Sequence, residues 1–167
     1  TVWDAASGAK RWEAKCGSGV RSVAFAPDGA SLASGDFPSN VTVWDAANGA
    51  KRWEAACGGT VHSVAFAPDE ASIASGDAAY KVTVWDAASG AKRWEAACGG
   101  TVNSVAFSPD GKCLASGDDA KKVTVWDAAS GDKRHEAACG REVRSVAFSP
   151  DGKCLASGDL AKQVTVW

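Results

Sequence analysis

The 167-residue sequence has no methionine, one tyrosine, five prolines and only two histidines. The histidines, His62 and His135, have no carboxylate or nucleophile at a catalytic spacing, and no Gly-Lys loop of the phosphate-cradling type occurs. None of the six cysteines forms a C-x-x-C pair, the usual zinc spacing. The chain is therefore expected to be non-enzymatic, with no catalytic residue, no metal and no cofactor. No apolar run approaches the roughly 20 residues that a bilayer-spanning helix requires, so no membrane partner is expected. Lys and Arg total 18 against 20 Asp and Glu, a net charge of −2. That balance gives no global pull toward nucleic acid. The chain opens inside a strand motif without a methionine, so it reads as a piece of a longer protein, and missing targeting signals carry no weight.

What is present is repetition. Tryptophans stand at 3, 44, 85, 126 and 167, a period of 41 residues without slippage, and a period in this range marks a repeat architecture. The segment Val41-Thr42-Val43-Trp44-Asp45 recurs as Val82 to Asp86 and as Val123 to Asp127. The cysteines obey the same period. Cys16, Cys57, Cys98 and Cys139 share one column, and Cys113 and Cys154 share another. Equivalent positions are a whole repeat apart, beyond the ~7 Å Cα separation a disulfide allows. They read as buried free thiols, which predicts a reducing, intracellular and cytoplasmic setting.

Within one repeat, β-branched and alternating stretches are separated by turn residues every ten or so positions. Lys92 to Ala96 alternates, with Trp94 opposite Arg93 and Glu95. Val102 to Phe107 alternates, with Val102, Ser104 and Ala106 on one face and Val105 and Phe107 on the other. Ser108-Pro109-Asp110-Gly111 is a tight turn. Cys113 to Ser116 is a short strand ended at Gly117, and Val123 to Trp126 closes the period. Four short strands per repeat with a strict period predict an all-β propeller of four-stranded antiparallel blades around an axis. Glu70 stands where Gly29, Gly111 and Gly152 follow Pro-Asp, and a positive φ there would strain the second repeat.

The segment Val105 to Gly117 followed by Val123 to Asp127 resembles the WD40 repeat, and the resemblance covers the whole chain. It implies blade strands a (near 102–108), b (113–117), c (123–127) and d (132–138), with d the outer strand of the preceding blade. It also implies a buried Asp–His–Ser/Thr–Trp hydrogen-bond chain, of which the Ser column (Ser34, Ser75, Ser116, Ser157) and the Trp column (Trp44, Trp85, Trp126) remain as structural residues. The family's Gly-His is replaced by Cys-Gly, and its b–c turn Asp by Pro38, Ala79, Ala120 and Ala161. Asp36, Asp77, Asp118 and Asp159 are expected to supply the missing partner.

Four blades follow, near 20–56, 61–97, 102–138 and 143–167, with the d strand at 9–15 completing the last. Four is few for WD40 rings, which resemblance puts at seven or eight. The alternatives are a homodimer sharing an eight-bladed ring, a segment of a longer array, or a strained four-bladed ring.

Of the 41 columns, 25 are identical in all four repeats and only six hold three or more residue types. Three surround the d–a loop and three the b–c loop, which in an antiparallel blade emerge on the same face. Loops on a rigid scaffold carry recognition. The candidate partner-binding residues are Arg21, Phe37, Asn40, His62, Tyr80, Lys81, Asn103, Asp119, Lys122, Arg141, Glu142, Arg144, Leu160 and Lys162. The expected function is a scaffold binding a protein or peptide through this face. The alternative is a structural or engineered module with blade-to-blade contacts and no external ligand, which near-identity of the repeats also fits.

Overall fold

The computed structural model describes residues 1–167. It is an all-β propeller array of antiparallel blades, with no helix. Three blades are complete. The first holds β3 (Val20–Phe25), β4 (Ser31–Asp36), β5 (Asn40–Asp45) and β6 (Lys51–Ala56). The second holds β7 (Val61–Phe66), β8 (Ser72–Asp77), β9 (Lys81–Asp86) and β10 (Lys92–Ala97), and the third β11 (Val102–Phe107), β12 (Cys113–Asp118), β13 (Lys122–Asp127) and β14 (Lys133–Ala138). A three-stranded sheet follows, of β15 (Val143–Phe148), β16 (Leu155–Asp159) and β17 (Val164–Val166).

The N-terminal strand does not complete that last sheet. Instead β1 (Val2–Trp3) and β2 (Lys10–Trp12) form a two-stranded ribbon of their own. Its register, Val2 opposite Trp12 and Trp3 opposite Lys10, repeats the c–d register of the first blade, Val43 opposite Trp53 and Trp44 opposite Lys51. A hairpin closes a short loop, whereas the expected pairing with β17 would close one spanning nearly the whole chain, at greater entropic cost.

The core lies between blades. Ala33, Val41 and Val43 of the first blade pack against Val61, Val64, Ile73 and Trp85 of the second. Ala74, Val82 and Val84 meet Val102, Val105, Leu114 and Trp126 of the third. Ala115 and Val123 meet Val143, Val146 and Leu155. From the second blade on, each sheet thus buries its a–b–c face on the previous blade, and the sheets stack.

Two strand details depart from simple alternation. Val102 and Val105 share one buried face, because a register shift falls between Val102 and Ser104. Strand b also runs on through Gly117 rather than ending there. Gly35, Gly76 and Gly117 are strand residues lying against the next blade's Val61, Val102 and Val143, where an added Cβ would come within 2.4 Å of a Val Cγ1.

Outer strands are latched by tryptophan. The indole N–H of Trp12, Trp53 and Trp94 donates to the carbonyls of Ala46, Ala87 and Ala128 in the next blade, at 2.8–2.9 Å. His135 replaces this latch on β14, where it is exposed.

The a–b turns need a left-handed residue. Gly29, Gly111 and Gly152 have φ of 72°, 71° and 70°, and Glu70 is held at 61°. Glu70→Gly is expected to raise stability by about 0.5–1 kcal/mol, measured as a higher urea midpoint at unchanged m-value. An unchanged or lower midpoint would show that the turn carries no strain.

Candidate functional site: the d–a and b–c loop face

The two variable loops are stitched into one surface by backbone bonds. The amides of Phe37, Ala78, Asp119 and Leu160, which open the b–c turns, donate to Gly19, Thr60, Thr101 and Glu142 of the d–a loops. In return Cys57, Cys98 and Cys139 donate to Ser39, Tyr80 and Lys121. Beneath them the carboxylates of Asp36, Asp77 and Asp118 are buried, at 2–3% exposure. Asp77 Oδ1 accepts from the amides of Ala79 and Lys81, and Asp118 from those of Lys122 and Gly99. Burial pushes the carboxyls of Asp77 and Asp118 up, against these N–H groups that draw them down. At Asp159, in the three-stranded sheet, burial also pushes up, but four backbone N–H groups outweigh it and the carboxyl is held below its usual range.

The expected Asp–Ser contact is therefore absent. The buried chain instead runs from the indole N–H of Trp44, Trp85 and Trp126 to the hydroxyls of Ser34, Ser75 and Ser116, each at 2.9 Å, and from Trp167 to Ser157 at 3.1 Å. The cysteine column completes it, with Sγ 3.9, 4.0 and 3.8 Å from Ser75, Ser116 and Ser157. The aspartates turn to the b–c loop because its amides are the nearest orphan donors. Burial pushes the Cys57 and Cys98 thiols up to about 11. All six cysteines are free, but none is fully buried and Cys154 is exposed.

The columns split on this surface. Arg21, His62, Asn103 and Arg144 sit one residue into β3, β7, β11 and β15, each at a register shift that leaves it without a partner on strand b. Such bulges re-aim side chains. The following serines lock neighbouring a strands together. Ser22, Ser63 and Ser104 accept from the amides of Val64, Val105 and Val146, each at 3.1 Å. The four bulge residues are thus held side by side. Arg144 donates to Asn103 Oδ1 at 3.1 Å and pairs with Asp119 at 3.3 Å, and the Asn103 amide donates to Asp119 at 2.7 Å. Burial first, then the nearby Arg21 and Arg144 guanidiniums, hold His62 below its ordinary value, against the pull of Asp119 and Asp77.

Other candidates stand apart. Phe37, Tyr80 and Leu160 are exposed at 53%, 51% and 50% on the b–c turns. Asn40, Lys81 and Lys122 open the c strands, and the two lysines lean outward to pair with Glu95 and Glu136 of strand d at 3.5 and 2.5 Å. Arg141 pairs with its neighbour Glu142 at 3.1 Å. Lys162 is exposed on its turn, with a left-handed φ of 64°. Tyr80 and Lys121 have the same backbone form, φ 67°, which glycine would favour. Sequence reasoning missed the bulge, whose only signal is that one variable column lies inside a strand pattern.

The family model described as outer membrane protein assembly factor BamB matches residues 1–76 and 39–161. The chain belongs to this family. It is a β-propeller-type family and not the WD40 family that the repeat motif resembles. No curated protein matches the BamB-family chain.

Proposed function

We propose that this BamB-family chain is a non-catalytic, WD40-type interaction scaffold that takes a protein or peptide partner on its d–a and b–c loop face. The carrying observation is the placement of every strongly variable column on one stitched surface, over blades whose other turns are nearly constant. The family's description as an assembly factor supports a protein partner for this chain too. Six unpaired thiols support a reducing, intracellular setting. The test is partner capture with paired variants. Tyr80→Ala and Phe37→Ala should abolish retention of a partner that Lys112→Ala, on the opposite face, leaves bound. Equal retention by all three variants would overturn the reading.

A second reading, a structural module with blade-to-blade contacts only, rests on apolar side chains exposed at the end sheets, among them Val23 at 62%, Phe25 at 54% and Val166 at 65%. Light scattering decides it. A mass of two chains or more that Val23→Asp or Phe25→Asp reduces to one would favour the module, and a single-chain mass in the parent would remove it.

A further inference from the structure

The chemistry of the partner follows from where unpaired charge lies, an inference that rests on the interaction-face reading. On the turns of the opposite face, Arg52, Arg93 and Arg134 are each neutralised by Asp45, Asp86 and Asp127 at 2.5–2.9 Å. Of the carboxylates left without an ion pair at the surface, those of Asp28, Asp69, Glu70 and Asp132 lie on those a–b and c–d turns, and only the half-buried Asp159, which accepts the backbone amides of Arg141, Ala161 and Gln163, lies under the loop face. On the loop face the pattern is inverted. Lys81, Lys122 and Arg141 are paired with glutamates, but Arg21, Lys121 and Lys162 are exposed and have no carboxylate within salt-bridge distance. The aspartates beneath them are turned inward and accept backbone N–H bonds.

Arg21 and Arg144 occupy the two ends of the row of bulge residues, with His62 and Asn103 between them. The bulges aim these side chains out of the strand ladder, and the serine-to-amide bonds fix their spacing. Arg144 is pre-oriented by Asn103 and Asp119, which cuts the entropy lost when a guanidinium grips a carboxylate. Phe37, Tyr80 and Leu160 expose apolar surface on the b–c turns of the same loop face. We propose that this row receives the carboxylate side chains of an extended acidic peptide, whose apolar side chains rest on Phe37, Tyr80 and Leu160. Arg21 is the principal anchor, because its guanidinium has no competing partner within the chain.

The test uses fluorescence anisotropy with the whole chain and a labelled twelve-residue Glu-Glu-Leu repeat peptide. Parallel probes carry glutamine for every glutamate, or phosphoserine among glutamines. The glutamate peptide should bind saturably, at least tenfold tighter than the glutamine peptide, and weaken as salt rises from about 50 to 300 mM because exposed charges are screened. Arg21→Glu should weaken it at least tenfold and Arg21→Gln severalfold, while Lys153→Glu on the opposite face leaves it unchanged. No binding by the parent chain, equal affinity for the glutamine peptide, binding of the phosphopeptide alone, or an unaltered Arg21→Glu variant each overturns the proposal. If Tyr80→Ala weakens the peptide and Arg21→Glu does not, the interaction face stands and the carboxylate row falls. If only Lys153→Glu weakens it, both fall.

Discussion

Trp85→Ala is expected to lower the unfolding free energy by about 3–5 kcal/mol, the range for truncating a buried large aromatic. Trp85 is 3% exposed and packs in the core between the first and second blades with Val41, Val43 and Ile73. Its N–H also donates to Ser75, itself 1% exposed. Two contributions are therefore lost together, and Trp85→Phe separates them. Phenylalanine keeps most of the packing but removes the donor, leaving the Ser75 hydroxyl with only the weak Cys57 sulfur 3.9 Å away. A cost of about 1–3 kcal/mol is expected for that oxygen. Trp167 makes the same bond at 3.1 Å in the last sheet but is 43% exposed, so Trp167→Ala should cost clearly less than Trp85→Ala. Urea unfolding followed by far-ultraviolet circular dichroism checks all three. Equal costs at Trp85 and Trp167 would show that inter-blade burial is not what stabilises the array.

The second large effect comes from adding one carbon. Gly76→Ala would set a Cβ 2.4 Å from Val102 Cγ1 and 3.0 Å from Val102 Cβ. Val102 is fully buried and β-branched, so it has little rotamer freedom to yield. The second and third blades must part instead, at an expected cost of about 1–3 kcal/mol. Gly158 holds the same place in the last sheet and has nothing within 4 Å. There the extra methyl meets no neighbour, and Gly158→Ala should be neutral or stabilising by up to about 1 kcal/mol, since alanine suits a strand interior better than glycine. Measured together by urea unfolding, the pair isolates the blade-to-blade contact. A harmless Gly76→Ala would mean that neighbouring sheets slide past each other freely. A Gly158→Ala cost as large as that of Gly76→Ala would report a further sheet seated against the last one in solution.

Much of this architecture was legible because it is written in local chemistry and repeated. The 41-residue period, the Pro-Asp-Gly turns and the β-branched strands each predict the same element in every copy, so an ambiguity in one is settled by the others. Even the left-handed backbone at Glu70 could be read by comparison with Gly29, Gly111 and Gly152 in the same column, and the observed φ is 61°. The family was harder to read. The strand and turn pattern points to propeller blades, whereas the residues that resemble WD40 repeats occur in a chain whose family model is that of BamB.

Tertiary structure decided the rest. The N-terminal strand satisfied its hydrogen bonds on β1 next to it, because a short hairpin costs less entropy than closing the chain end to end. The buried aspartates served loop amides rather than the serine hydroxyls, because an unmet amide within reach binds a carboxylate strongly, and the thiol column took the serine contact instead. The bulge at Arg21, His62, Asn103 and Arg144 leaves no composition signature, since any residue can occupy it. Its presence is set by how strand a bends to bring Val102 and Val105 onto one face of the neighbouring blade. Nor could sequence separate the lysines spent on Glu95 and Glu136 from the unpaired Arg21. Composition counts charges, and only packing determines which of them have already met their partners.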